Sequence, residues 1–427
     1  MCCTRIFPTL VIAALACAPR AASDSAKPSI DQWLSEGNHQ GPFKWTARAL
    51  PVVLSNHQRL LARFQIQIDG ADAAKRRGEG RFTFFFRLTD SQGRVFEDHN
   101  DYDLQAVEEG IKASELMCTD SAFVLPGDYQ VAYAILDTAT GEHVVRKDKL
   151  HVAPLHIEPL PQSWRGLPAV EFVPIKDKPQ IWLLPDIVGR LNLPVSNRRP
   201  VRVDVLMNLT PAEQMHGQFG IQDQNLAVLF PALKALTQMT GDKLSINISL
   251  LDLARRRVAF HQENVQTPDW EKIGESLAEP TSASIDVGSL AKRARIAAFF
   301  GEQIEKSFQK PGACAVIVLT APMNFDTPQD LEGLALNPSP DCTVFYIRRQ
   351  VQLQNPAFTG SPLGGRRRGY AGPRAPMGTP PPEIPRRPIN DQLESILKPL
   401  APHLFDAFTP EDFRRDLAAI IAAIGSL

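Results

Sequence analysis

The sequence predicts an α/β plus all-β chain: a β-rich unit first, an α/β unit second. Three observations point there. Between Trp45 and Pro154, apolar residues recur at every second position in short runs broken by turn residues. After Arg199, strand-like runs alternate with stretches of helical spacing. Within that second region "ACAVIVLT" is apolar at almost every position, as in a strand covered on both faces. The length of 427 residues leaves room for both units.

Residues 1–22 read as an export signal. Arg5 supplies a positive charge, Ile6 to Ala16 is a short apolar run, and small residues follow. No later stretch reaches the ~18 consecutive apolar residues of a membrane span. The expected location is therefore outside the cytoplasm: periplasmic, secreted or on the outer surface. "ALAC", Ala14 to Cys17, resembles a weak lipobox, so the leader is either simply removed or leaves a lipid anchor on Cys17. Residues 23–44 are polar, with Pro and Gly, and read as a tether.

The β-rich unit is expected over 45–154. Phe64, Ile66 and Ile68 alternate, then Phe82, Phe84, Phe86 and Leu88, with a turn at Ser91 to Gly93. Pro126-Gly127-Asp128 makes the next turn, Tyr129, Val131, Tyr133 and Ile135 alternate after it, and "DTATGE" turns again. Many short strands between turns predict a β-sandwich. The "PGDYQVAYAILD" run with its following "TGE" resembles immunoglobulin-like or fibronectin-like modules, without the Cys-Trp-Cys pattern of antibody domains. "EDHNDYD", Glu97 to Asp103, is the one acidic cluster; it reads either as a solvated turn or as oxygen ligands for Ca²⁺ at a sandwich edge. Residues 155–199 are Pro-rich, with Trp164 and Trp182 among the prolines, and should pack as an extended connector with a strand near Gln180 to Leu184.

The α/β unit is expected over 200–427. "VRVDVLMN" is a strand. "NLAVLFPALKALTQM" is a helix, with Leu226, Leu229, Leu233 and Leu236 on one side and Pro231 as a kink. Leu244 to Leu250 and Arg257 to His261 form a hairpin around Asp252 to Arg255. A helix runs through "DVGSLAKRARIAAFFGEQIEKSF", capped by Ser289 or Asp286, before the apolar strand. "TPQDLEGL" gives one or two helical turns and "CTVFYIRRQ" the next strand. Residues 352–389 are too rich in Pro and Gly for a packed core. They read as a disordered basic loop, either merely solvated or binding polyanions. "DQLESILKPLAPHLF" and "TPEDFRRDLAAIIAAI" close the chain as helices. In the second, Thr409 is the N-cap, Pro410 the first helical residue, and Phe413, Leu417, Ile420, Ile421 and Ile424 the buried stripe.

This order resembles the von Willebrand factor A-type domain, and in particular the bacterial exported proteins called VWFA-related. The hairpin after the first helix carries most of the likeness, since most sheets with helices on both faces lack it. The resemblance implies a doubly wound sheet with an antiparallel edge hairpin, preceded by an immunoglobulin-like sandwich. It also implies a place for a metal-ion-dependent adhesion site, Asp-x-Ser-x-Ser after the first strand and an Asp after the fourth. Aligned by strand ends, those positions are Asn208, Thr210 and Ala212, then Ala321 after Thr320. Both carboxylates are missing. Asp204 is mid-strand, Asp326 lies beyond the strand end, and Thr281 is a candidate for a later-loop ligand. The adhesion site is therefore expected to be degenerate, with no metal and no cofactor.

The functional expectation follows. Gly-x-Ser-x-Gly and His-Glu-x-x-His are absent, and the nine His show no ligand spacing. The net charge of −1 gives no global field for nucleic acid. If cleavage removes the leader with Cys17, the three cysteines that remain, Cys118, Cys314 and Cys342, are too few for a disulfide scaffold and fit no zinc motif. Cys314 and Cys342 each open a strand, so they are either bridged neighbours or buried thiols. The expected activity is a non-enzymatic interaction module binding a protein or cell-surface polymer. Its contact residues would be Asn208, Thr210 and Thr320 at the strand ends and Arg366, Arg367 and Arg368 in the basic loop. Two alternatives stand beside it: a scaffold subunit of a cell-envelope assembly, and a hydrolase assembled from residues distant in sequence.

Overall fold

The structure is a computed structural model. It describes residues 30–35, 37, 39, 41–78, 80–106, 111, 114–174, 189–209, 221–253, 255–278, 295–323, 334, 336–349 and 391–427. The fold is mixed α/β, rich in strands, with several sheets.

Two antiparallel sheets make up the first half. One has the order β5-β4-β7-β8, from Val95–Asp103 (β5), Arg81–Asp90 (β4), Gly127–Asp137 (β7) and His143–Val152 (β8). The other runs β1-β3-β6-β9, from Trp45–Ala49 (β1), Leu60–Asp69 (β3), Glu115–Val124 (β6) and Val170–Phe172 (β9), with Val53–Leu54 (β2) also on β3 and a short helix α2 (Gly70–Lys75) following β3. The alternation read from the sequence decides which side chains meet between them. Phe64, Ile66, Ile68, Phe82, Phe84, Phe86 and Leu88 are all fully buried in one shared core. Two segments differ from expectation. The stretch taken for a tether holds α1 (Ile30–Ser35), whose Trp33 is buried against Phe85 and His143. The acidic "EDHNDYD" is part of strand β5 and not a turn, because it pairs residue by residue with β4.

The second half is built on a six-stranded sheet, β14-β13-β11-β15-β16-β17. Its strands are Val201–Asn208 (β11), Leu244–Asp252 (β13), Arg257–Gln262 (β14), Ala313–Thr320 (β15), Cys342–Arg349 (β16) and His403–Ala407 (β17). All neighbours are parallel except the edge hairpin β13/β14. A short parallel pair, Leu193–Pro194 (β10) with Met239–Thr240 (β12), lies outside it. Val203, Val205 and Met207 pack on one face with α3 (Ile221–Thr237) and the last helix, Pro410–Ser426; α4 (Trp270–Ala278) adds Ile273. Leu206, Val316 and Val318 pack on the other with α5 (Ile296–Gln309) and α6 (Gln392–Leu397). The last helix, α7, starts with the expected Thr409 cap as a full capping box with Asp412; of the expected stripe Phe413, Leu417, Ile420 and Ile424 are buried and Ile421 is only half-buried, and Arg414 is buried with them.

One helix expectation fails. "APHLF" is not helical: residues 403–407 form β17, parallel to β16. Pro399 and Pro402 remove two backbone donors, Ala401 turns left-handed at φ 47°, and the chain leaves as a strand. The expected strand at Gln180 to Leu184, the caps Ser289 and Asp286, the "TPQDLEGL" turns, the leader with Cys17 and the 352–389 loop lie outside the described residues.

Cys314 and Cys342 sit opposite each other in the β15/β16 register and are joined as a disulfide, with Cα atoms 4.4 Å apart. Of the two readings open in the sequence, the bridge is the one observed.

The two halves meet over buried polar groups. The Arg414 guanidinium from α7 takes the Glu158 carboxylate and stacks 4.6 Å over Trp164. Gln58, at the turn before β3, donates to Pro410 O. Arg349 donates to Asn56 Oδ1 at 2.7 Å and to Val228 O at 3.2 Å, and lies over Phe413. Between them lies the half-buried His57; burial first, then Lys234 and Arg349, push it down to about 3, so it stays neutral.

Candidate functional site

Strands β13, β11, β15 and β16 all end on one side of the sheet, the side where α/β proteins commonly bind ligands. The structure brings Asn208 and Thr320 together there, on neighbouring strands. Asn208 Nδ2 donates to Thr320 Oγ1 at 3.0 Å and faces Met323 Sδ at 3.4 Å. Thr320 Oγ1 in turn donates to Ala321 O at 2.7 Å. Asn208, Thr320, Ala321 and Met323 are all buried. The nearest carboxylate in this network is Asp391, and it is consumed. Its Oδ1 accepts from Met323 N and Leu393 N, and its Oδ2 accepts from Tyr346 Oη at 2.6 Å and Arg348. Burial, then Asp391, holds the Tyr346 phenol protonated.

This donor set does not fit a hard divalent cation. Such an ion needs several oxygens with lone pairs to spare, preferably carboxylates. The described strand end offers an amide that is donating, a hydroxyl that is donating and a thioether. Asp204 does not rescue it: it lies mid-strand, ion-paired to Arg202 at 2.9 Å and accepting from Asn247 at 2.7 Å. Among the described residues no group of three His, Cys, Asp or Glu is placed to hold a metal. Thr210, Ala212, Thr281, Asp326, Arg366, Arg367 and Arg368 lie outside the described residues.

A second place was not read from the sequence. Between the edge hairpin and α5 lies an open groove of about 550 Å³. Its floor carries Asn247 and Gln303, both buried, and its rim carries Ser249, His261, Lys306 and Lys310. Ser249 and His261 are cross-strand partners, Oγ to Nδ1 2.9 Å apart. His261 Nε2 is 3.6 Å from Glu263, which is ion-paired to Lys310. The Lys310 ammonium beside it, then His261, hold the Glu263 carboxyl below the usual range. The predicted hairpin contained both Ser249 and His261. Their pairing depends on a register shift between Leu250 and Leu251, which no turn residue announces.

Ser, His and Glu in a row invite comparison with a nucleophile, a base and its orienting acid. The surroundings do not complete it. Ser249 lies inside a strand paired on both sides, so the amides around it belong to the sheet ladder and cannot form an oxyanion hole. Glu263 is shared with Lys310. The groove's lining is polar and mixed in charge: Asp204, Asn247 and Gln303 are buried on its floor, Lys306 donates to Gln303 at its rim, and Lys310 is paired with Glu263.

No family model matches this chain, and no curated protein matches it. Among solved structures, a Northeast Structural Genomics Consortium target is similar at 16% identity, covering 28% of this chain and 95% of that one, with a TM-score of 0.18. The putative ApaA protein from Bordetella pertussis is similar at 12% identity, covering 28% of this chain and all of that one, with a TM-score of 0.17. At such scores the likeness carries no inference about fold or function.

Proposed function

We propose that this chain is an exported, non-catalytic binding module of the A-type kind, engaging an acidic protein or surface polymer without a metal ion. The observation that carries the reading is the groove beside the edge hairpin, with Lys306 and Lys310 exposed above a hydrogen-bonding floor. The strand order and the single antiparallel edge hairpin support the doubly wound A-type reading, and the two facing antiparallel sheets support the immunoglobulin-like one. The Cys314–Cys342 disulfide supports an oxidising compartment and therefore export. The basic run Arg366, Arg367 and Arg368 is the second contact element of this reading.

The test is co-sedimentation of the protein with poly-glutamate and with extracted envelope polymer, in EDTA. Wild type should bind, added salt should weaken binding, and Lys306→Glu with Lys310→Glu should abolish it. Binding that the double variant retains would overturn the groove as the site. Deleting residues 360–388 asks the same of the basic loop.

A further inference from the structure

The sheet β5-β4-β7-β8 has two edges, and they are opposite in charge. The edge strand β5 carries Glu97, Asp98, Asp101 and Asp103 against His99 alone. The other edge strand, β8, carries Arg146, Lys147 and Lys149 against Asp148, with His143 and His151 near its ends. Among the described residues β5 pairs only with β4, and β8 pairs as a strand only with β7. Every neighbour in this sheet is antiparallel, so β5 and β8 also run antiparallel to each other. They are nine and ten residues long. A second copy shifted along the sheet would therefore lay its β5 beside β8 with the direction, length and inward face that the sheet already uses.

A strap guards the β8 edge. Helix α1 lies on the outer face of this sheet, where the buried Trp33 stacks on His143 at 4.7 Å and covers Ala134 and Val145, with Leu34, Phe85 and Leu136 around them. Beyond α1, His39 pairs antiparallel with Val145: its N–H donates to Val145 O at 3.0 Å, and its carbonyl accepts from Val145 N–H at 3.2 Å. Gly41 then passes so close that a Cβ there would stand 2.5 Å from Val144 Cγ1. Asp31 is ion-paired to Arg87, and Lys147 Nζ donates to Leu34 O. The bridge at Val145 shows that this edge takes an antiparallel partner. The strap's hold is slight. A six-residue helix is too short to persist unaided, and its apolar cluster is separate from the core between the sheets.

We propose that β8 is a docking edge for β5 of a second copy of this chain, and that the strap is displaced when the two join. In one antiparallel register Glu97 stands opposite Lys147, Asp98 opposite Arg146 and Asp101 opposite His143, so the sheet continues with opposite charges across the junction. Open strand edges invite pairing with another chain, and charged side chains or a covering segment normally prevent it. Here the two protections have opposite signs and attract each other. Each copy offers a different edge to its neighbour, so the contact is head-to-tail. Such a contact propagates from copy to copy unless its rotation closes a ring.

The test is sedimentation velocity on the full chain at rising concentration. Trp33 lies outside the core between the sheets, so Trp33→Ala releases the strap and leaves that core whole. This variant should self-associate at a concentration about tenfold lower than wild type, because a gate open in few copies weakens the apparent affinity by that fraction. Added salt should weaken the association. In the same background, Asp98→Lys with Asp101→Lys spoils β5, and Lys147→Glu with Lys149→Glu spoils β8. Each spoiled chain alone should stay monomeric, and a mixture of the two should associate again, since each restores the charge the other lost. A cross-link needs no change of charge: Glu97→Cys mixed with Lys147→Cys should give an oxidised heterodimer, and Glu97→Cys mixed with Lys75→Cys should not. A monomeric Trp33→Ala variant, association of a spoiled chain by itself, or no cross-link between positions 97 and 147 would overturn the proposal. Equal association of wild type and Trp33→Ala would overturn the strap's part in it.

Discussion

Arg414 holds Glu158 with two nitrogens, Nε at 2.9 Å and Nη2 at 2.8 Å, across 256 residues of sequence. The guanidinium is almost wholly buried, the carboxylate three-quarters so. The pair ties the last helix to the Pro-rich connector. Removing one partner leaves the other charge buried and alone, which costs about 3 kcal/mol. Arg414→Ala and Glu158→Ala should each lower the unfolding free energy from denaturant melts by about that amount, and the double variant by less than the sum. Additive losses would show that the two residues do not act as a pair.

At the strand end, the expected outcome of Asn208→Asp is loss without gain. A carboxylate there would face the Thr320 hydroxyl and the Met323 thioether in a buried place, with no free cation among the described residues. Stability should fall by about 1–3 kcal/mol. Millimolar Mg²⁺ should not restore it, because the missing ligands are not only at residue 208. Melting curves in EDTA and in Mg²⁺ decide this; a Mg²⁺-dependent recovery would mean the site is one substitution from function.

The Cys314–Cys342 bridge closes a loop over a sequence separation of 28. Closing a loop of that size stabilises by about 3 kcal/mol. Melting with and without reductant should differ accordingly, and Cys314→Ser with Cys342→Ser should match the reduced wild type. Mass spectrometry after thiol alkylation should find Cys118 modified in the unfolded chain, and Cys314 and Cys342 protected until reduction.

Asp416 on α7 should make stability depend on pH. Burial, then the Asp412 charge, push its carboxyl up to about 6, and its Oδ2 is buried without a partner. A carboxyl whose folded pKa lies above its unfolded value binds its proton more tightly in the folded state. Its contribution is therefore greatest below about 4 and is lost as pH rises from about 4 to about 6. Denaturant midpoints across that window should show the decline, and Asp416→Asn should flatten it. An unchanged profile would assign the dependence elsewhere.

Much of this was legible in the sequence, for a physical reason. Phe82, Phe84, Phe86 and Leu88 alternate because one face of their strand is buried, and Thr409 with Pro410 marks a helix start through backbone donors alone. Both signals are local. What stayed hidden depends on distant partners. Nothing near Asp391 says that it will cap α6 and take the Tyr346 hydroxyl. The pairing of Ser249 with His261 needed a bulge. "APHLF" has apolar residues that suit either period, and the choice was made by β16, whose open edge the segment completes.

The disulfide also has a mechanical meaning. Cys314 and Cys342 stand at the starts of two adjacent parallel strands. If the chain is anchored at one end and pulled at the other, tension passes from Cys314 straight to Cys342. The residues between them are never loaded, however far the rest unravels. An oxidised chain should therefore extend about 95 Å less than a reduced one, at roughly 3.4 Å for each residue kept out of the load path. Under the proposed binding role at a surface, that hidden length would be a reserve released only where thiols are reduced.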